Sequence, residues 1–283
     1  MSADRITYVG HATALVELGG VRLLTDPMLR RRLLHIARHP PEPDTGVTEE
    51  IDAVLLSHLH PDHLDFPSLR SIGADTRVIA PRGGARTLAR RGVRAVTELA
   101  PGDSTTVGAL EVAAVPASHD ARRYRIGRHV DALGFVITGG RLAGGRGGEG
   151  LAGQQVGGEG LAGAHRVYFA GDTDLFDEMA QIADGGLDVA MLPIAGWGPT
   201  VGKGHLDPTR AAEAAAILRP RVAIPIHWGT LFRIGILRRR PHLVERPASR
   251  FTAELAELAP GVEPRVLAPG ESYELAQLDE RSA

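Results

Sequence analysis

Cysteine is absent from these 283 residues, which excludes disulfide bracing and thiol catalysis while leaving either redox compartment open. No apolar run approaches the ~20 residues that a membrane-crossing helix requires. The opening Met1-Ser2-Ala3-Asp4-Arg5-Ile6 has no basic segment followed by an apolar stretch, so no signal peptide is evident and a cytoplasmic protein is expected. Aromatic residues make up only 4% of the chain and the formal net charge is −2. Neither a global field for polyanions nor aromatics interleaved with arginines supports a nucleic-acid partner. Lysine is nearly missing too: Lys203 stands alone among 32 basic residues, a bias of coding more than of mechanism.

Histidine, by contrast, is clustered. Three of the twelve fall within six positions, in Ser57-His58-Leu59-His60-Pro61-Asp62-His63. The apolar run Ala53-Val54-Leu55-Leu56 before them reads as a buried strand, ended by Pro61. Alternate side chains of an extended chain share a face, so His58 and His60 can close on one ion. The turn that follows lets Asp62 and His63 face a second ion nearby. Imidazole with carboxylate suits zinc, iron or manganese.

This segment resembles the signature of the metallo-β-lactamase superfamily. The resemblance implies an αββα four-layer sandwich and a third His for the first metal, which His119 matches after the strand-like residues 110–115. It implies a carboxylate bridging both metals, matched by Asp172 in Ala170-Gly171-Asp172-Thr173-Asp174. It also implies a late His for the second metal, matched by His227 in Pro225-Ile226-His227-Trp228. Asp174, directly before the apolar-periodic residues 175–183, is the better helix cap and leaves Asp172 without a local task. The implied cofactor is a pair of divalent ions, zinc first, with manganese or iron also compatible. They would generate a bridging hydroxide that Asp62 orients or deprotonates.

Three further motifs narrow the resemblance. Tyr8-Val9-Gly10-His11-Ala12-Thr13, Leu24-Thr25-Asp26-Pro27 and Gly204-His205-Leu206-Asp207-Pro208 are similar to the group containing ascorbate-6-phosphate lactonase and N-acyl-phosphatidylethanolamine phospholipase D. That likeness implies that His205 contacts substrate or protonates a leaving group and that His11 lies beside the metals. The alternatives are a helix-flanking His205 and a core-strand His11. Asp26 is a candidate to hold a ligand's second ring nitrogen, or else starts the turn before Pro27. Trp197 walls a pocket or fills the core.

The rest reads as a single α/β domain. Strands are expected at 5–18, 21–25, 53–56, 77–80, 110–115, 133–138, 167–170, 189–193 and 222–226, with a long loop at 28–48. Helices are expected at 83–91, 175–183, 208–218 and 248–258. Residues 139–164 are Gly-rich, and Gly-Gly-Glu-Gly-Leu-Ala-Gly occurs at 147–153 and again at 157–163. This reads as a flexible insertion between two strands. Arginines cluster at 30–32, 122–125 and 238–240; converging, they would grip an anionic group. The expected activity is a dinuclear metal-dependent hydrolase acting on a phosphodiester or a phosphorylated small-molecule ester or lactone. The alternatives are a nuclease of the same superfamily and a non-catalytic metal-bound interaction protein. Self-association into a homo-oligomer stays open.

Overall fold

The computed structural model describes residues 3–39, 42–121, 130–140 and 164–280. The first part of the chain forms β1 (Arg5–Gly10), β2 (Thr13–Leu18), β3 (Val21–Thr25), the short β4 (Arg32–Leu33) and β5 (Ile36–Arg38), and β6 (Ala53–Leu55). It continues with α1 (Phe66–Ile72), β7 (Arg77–Pro81), α2 (Ala85–Ala89) and β8 (Val96–Leu99). The second part forms β9 (Ser104–Val107), β10 (Leu110–Pro116), β11 (Leu133–Gly139), β12 (His165–Phe169) and β13 (Val189–Pro193). Then come α3 (Pro208–Leu218), β14 (Val222–Ile226), β15 (Leu231–Arg233), α4 (Arg246–Leu258), β16 (Glu263–Pro264), β17 (Ser272–Glu274) and α5 (Ala276–Glu280).

Two seven-stranded sheets result, in the orders β17-β1-β2-β3-β6-β7-β8 and β16-β14-β13-β12-β11-β10-β9, with β15-β5-β4 as a small third sheet. The period-2 alternation of a strand explains the layering. Ala53 and Leu55 of β6 face the second sheet, where Phe135, Phe169 and Met191 meet them in one core. Val54, between them, faces outward onto Leu69 of α1 and Leu88 of α2. In the second sheet Tyr168, Ala190 and Leu192 face outward onto α3 and α4, through Ala211, Ala215, Phe251 and Leu255. Helix, sheet, sheet and helix therefore stack as the sequence led one to expect. Burying a Phe or Leu contributes ~1.5–3 kcal/mol, so the inter-sheet layer dominates the packing.

Helix boundaries follow local chemistry. Asp207 caps α3, its carboxylate accepting from Arg210 N, with Pro208 in the first turn. Arg219, in the left-handed region, ends it. Five expectations need correction. Residues 5–18 form a hairpin of two strands, turning at His11-Ala12. The expected helix at 175–183 is a 3-10 segment, Asp177–Ala183, and its cap position is Phe176. Asp174 instead accepts from Leu175 N and pairs with Arg210, so the competing ion pair removes it from a capping role. Of residues 83–91 only Ala85–Ala89 are helical, and the loop at 28–48 contains β4 and β5. The Gly-rich stretch 141–163 and the arginines at 122–125 lie outside the described residues.

Direction matters most for the site. β3 and β6 are parallel, as are β12, β13 and β14. β10 runs the same way as β12, since both are antiparallel to β11. β1 and β3 likewise share a direction through β2. His11, Asp26, the 57–63 motif, His119, Asp172 and His227 all follow the C-terminal ends of these strands, and they meet at one edge of the sandwich.

Candidate metal centre

At that edge the side chains form two groups. The outer group is His58, His60 and His119. Nδ1 of His60 lies 2.9 Å from Nε2 of His58 and 3.1 Å from Nε2 of His119. The other ring nitrogens are already committed. His119 Nδ1–H donates to Gly204 O at 2.8 Å. His58 Nδ1–H donates to Ser57 Oγ at 2.9 Å, and that hydroxyl donates to Asp26 Oδ2. With Nδ1 protonated in both rings, their Nε2 lone pairs point inward, a tautomer assignment read from the partners. Burial pushes the His119 imidazole down to about 4, and burial lowers His58 well below the usual range. Both are neutral near pH 7, the state a metal ligand needs.

The deeper group is Asp62, His63, His227 and His11. His63 Nδ1–H donates to Asp26 Oδ2 at 2.7 Å, and His227 Nδ1–H donates to Ala195 O at 2.7 Å. Their Nε2 atoms are therefore turned inward as well. Asp62 Oδ2 accepts from His11 Nε2–H at 2.8 Å and from Trp197 Nε1–H at 3.1 Å. Burial would raise the Asp62 carboxyl, but His63 and His11 outweigh it and hold it well below the carboxylate range. Burial also lowers His11 to about 3, so its ring stays neutral.

Asp172 lies between the groups. Its Oδ1 is 3.3 Å from His227 Nε2, and its Oδ2 is 3.2 Å from His63 Nε2 and 3.9 Å from His58 Nε2. His205 Nε2 reaches the same Oδ2 at 3.4 Å from a quarter-exposed position at the rim. Burial would raise the Asp172 carboxyl; His227, His63 and His205 together hold it well down. Among the described residues, His63 Nε2, His227 Nε2 and Asp172 Oδ1 are buried without a hydrogen-bond partner. Leaving such groups unpaired costs ~1–3 kcal/mol each. Burial would lower the His63 imidazole, but Asp172, Asp62 and Asp26 hold it well above the usual range, so a cation would take the place of its Nε2 proton. The inward Nε2 atoms and a carboxylate oxygen, dry and mutually close, fit cations as the missing partner.

All seven residues matched to the family pattern converge, as do His11, Asp26, Trp197 and His205. Asp26 is fully buried and accepts from Ser57 N, Ser57 Oγ and His63 Nδ1, so turn initiation does not account for it. His11 is a hairpin-turn residue, not a mid-strand one. Sequence reasoning missed Ser57, which links His58 to Asp26, and the carbonyls of Ala195 and Gly204. Ser57 had a visible signal in its place directly before His58; the carbonyls carry none. Three of these residues adopt left-handed backbone without being glycine: His11 at φ 58°, Asp26 at φ 34° and His227 at φ 61°. Such strain costs ~1–3 kcal/mol per residue. Of the arginines at 30–32, Arg30 pairs with buried Asp65 and Arg31 with Glu42.

Fold and edge cluster together define the class, a four-layer sandwich whose loops gather a His/Asp set able to hold metal. The chain belongs to the β-lactamase superfamily: the Beta-lactamase superfamily domain matches residues 21–146 and 151–228. It is 34% identical over 283 residues to the UPF0173 metal-dependent hydrolase of Methanopyrus kandleri, covering 95% of this chain and 99% of that one. It is 30% identical over 249 residues to N-acyl-phosphatidylethanolamine-hydrolyzing phospholipase D 1 of Caenorhabditis elegans, covering 79% of this chain and 63% of that one. The solved structure of the metallo hydrolase Igni18 from Ignicoccus hospitalis matches with a TM-score of 0.63 at 24% identity, covering 96% and 98% of the two chains.

Proposed function

We propose that this metal-dependent hydrolase uses two divalent cations, zinc first, to cleave a phosphodiester or a phosphorylated small-molecule ester or lactone. His58, His60 and His119 would hold one cation; Asp62, His63 and His227 the other; Asp172 would reach both. The supporting observation is the set of three buried, unpartnered ligand-type atoms turned toward one another. Bound there, the cations would supply an acidified water for attack and Lewis-acid contact to the oxygen under attack.

The chain's own residues do the rest. Asp62 is held low by its neighbours, which favours orienting the attacking water over keeping its proton. His11 and Trp197 fix the Asp62 carboxylate by two donated hydrogen bonds. His205, at the rim with Nδ1 toward the carbonyls of Gly202 and Lys203, would give the Nε2 proton to a leaving group. The buried histidines keep bulk water out. The phospholipase-type relative motivates the phosphodiester, and a small soluble substrate of the cytoplasm is the reading we adopt. No helix among the described residues is long and apolar enough to cross a membrane.

The test pairs metal content with turnover. Two cations per chain are expected, together with hydrolysis of at least one of bis(p-nitrophenyl) phosphate, a phosphorylated lactone or a phosphorylated ester. Protein that holds no transition ion, or that holds two and turns over none of these, refutes the reading.

A further inference from the structure

Behind the loop that carries Trp197 lies a second concavity, with a volume of about 480 Å³. One wall is the loop itself, through Ala195, Gly198 and Thr200; the other carries Arg240, His242, Arg246 and Arg250. The charge here is lopsided. Arg240 and Arg246 pair with no acidic side chain among the described residues, and Arg250 is offset by Glu254 at 3.3 Å. Asp207 also lines the cleft; its carboxylate caps the first turn of α3 and keeps its negative charge, which the three arginines outnumber.

Two of these arginines sit at the start of a helix. Arg246 is the first residue of α4 and Arg250 lies one turn later. A helix N-terminus is the positive end of the backbone dipole and favours anions. The N-cap of α4 is Glu245, which makes no side-chain cap hydrogen bond, and no acidic residue follows it in the first turn. Arg240, Arg246 and Arg250 are exposed along one cleft, and an anion seated there would meet all three. Guanidinium groups match a phosphate's oxygens in geometry as well as charge.

We propose that this cleft binds a phosphate group, either free inorganic phosphate or a phosphate carried by a substrate at a distance from the bond it loses. The site stands on its own; its part in substrate recognition rests on the hydrolase reading above. Ala195 connects the two regions, since it lines the cleft while its carbonyl holds His227. Trp197, in the same loop, holds Asp62.

The experiment is a calorimetric titration of inorganic phosphate into the protein as purified, comparing wild type, Arg240→Gln/Arg246→Gln and Asp172→Asn. Wild type and Asp172→Asn bind one phosphate alike, whereas the double arginine variant binds it about tenfold or more weakly, the loss of charge-assisted hydrogen bonds. Unchanged affinity in the arginine variant, or loss in Asp172→Asn alone, overturns the proposal. Equal weakening in Arg86→Gln/Arg90→Gln, which removes two exposed arginines on or beside α2, would reduce the effect to net charge and overturn it too. A second arm assigns the source. If KM rises in the Arg240→Gln/Arg246→Gln variant only for an ester bearing a remote phosphate, the phosphate belongs to the substrate. If weakened phosphate binding leaves both esters unaffected, free phosphate is the ligand. Failure of the hydrolase reading would leave the titration untouched, so the two can be told apart.

Discussion

The outer group of His58, His60 and His119 and the deeper group of Asp62, His63 and His227 lie on either side of Asp172, and they are supported differently. The outer imidazoles lean on neutral partners, the Ser57 hydroxyl and the Gly204 carbonyl. In the deeper group the Asp26 carboxylate holds His63 directly, His227 leans on the Ala195 carbonyl, and Asp62 accepts from the neutral His11 and Trp197 rings. Left-handed backbone at His11, Asp26 and His227 is confined to that deeper side. Negative charge therefore gathers where burial is greatest, which suits a tightly held cation, while the outer triad suits one that exchanges more readily.

The strongest way to break this contrast is at the shared carboxylate. Asp172→Ala is expected to lower turnover by at least about a thousandfold, since on the proposed function both cations and the attacking water would depend on it. Metal analysis should then find one cation or fewer per chain. Asp62→Ala is expected to abolish turnover while the outer cation stays bound, and an unchanged rate would refute the role given to Asp62. Next comes Asp26→Asn, with cation affinity at the deeper group weakened about 10–100-fold and the outer group, which Asp26 reaches only through Ser57, weakened less. Competition with a chromophoric chelator reads this directly, and equal weakening of both would erase the distinction. Trp197→Phe removes one hydrogen bond to a carboxylate, so about a tenfold loss in kcat with unchanged metal content is expected. Smallest of all is deletion of 141–163, which should leave metal content and turnover near wild type; loss of metal there would give the segment a role that composition does not suggest.

Much of this centre was legible because its ligands follow apolar strands. The run ending at Leu56 announces the 57–63 motif, and 222–226 announces His227 in the same way. The layers were legible only through family likeness, since alternation cannot say which face of a doubly buried strand meets a helix. What stayed hidden depended on tertiary partners. The turn at His11-Ala12 carries no Asn-Gly or Pro, so 5–18 reads as one strand. Asp174 had the sequence position of a cap but not the freedom, because Arg210 claims it. β4 and β5 are too short to show any period. The grouping of Arg240 with Arg246 and Arg250 needs the fold of α4 against the loop at 195–201.

The left-handed residues also say where this protein should not be improved. Glycine at positions 11, 26 or 227 would relieve local torsion. Each such gain would delete a side chain on which the centre depends. Durability and catalysis thus compete at three individual positions, and stabilising substitutions are better sought on the outer faces of the helices.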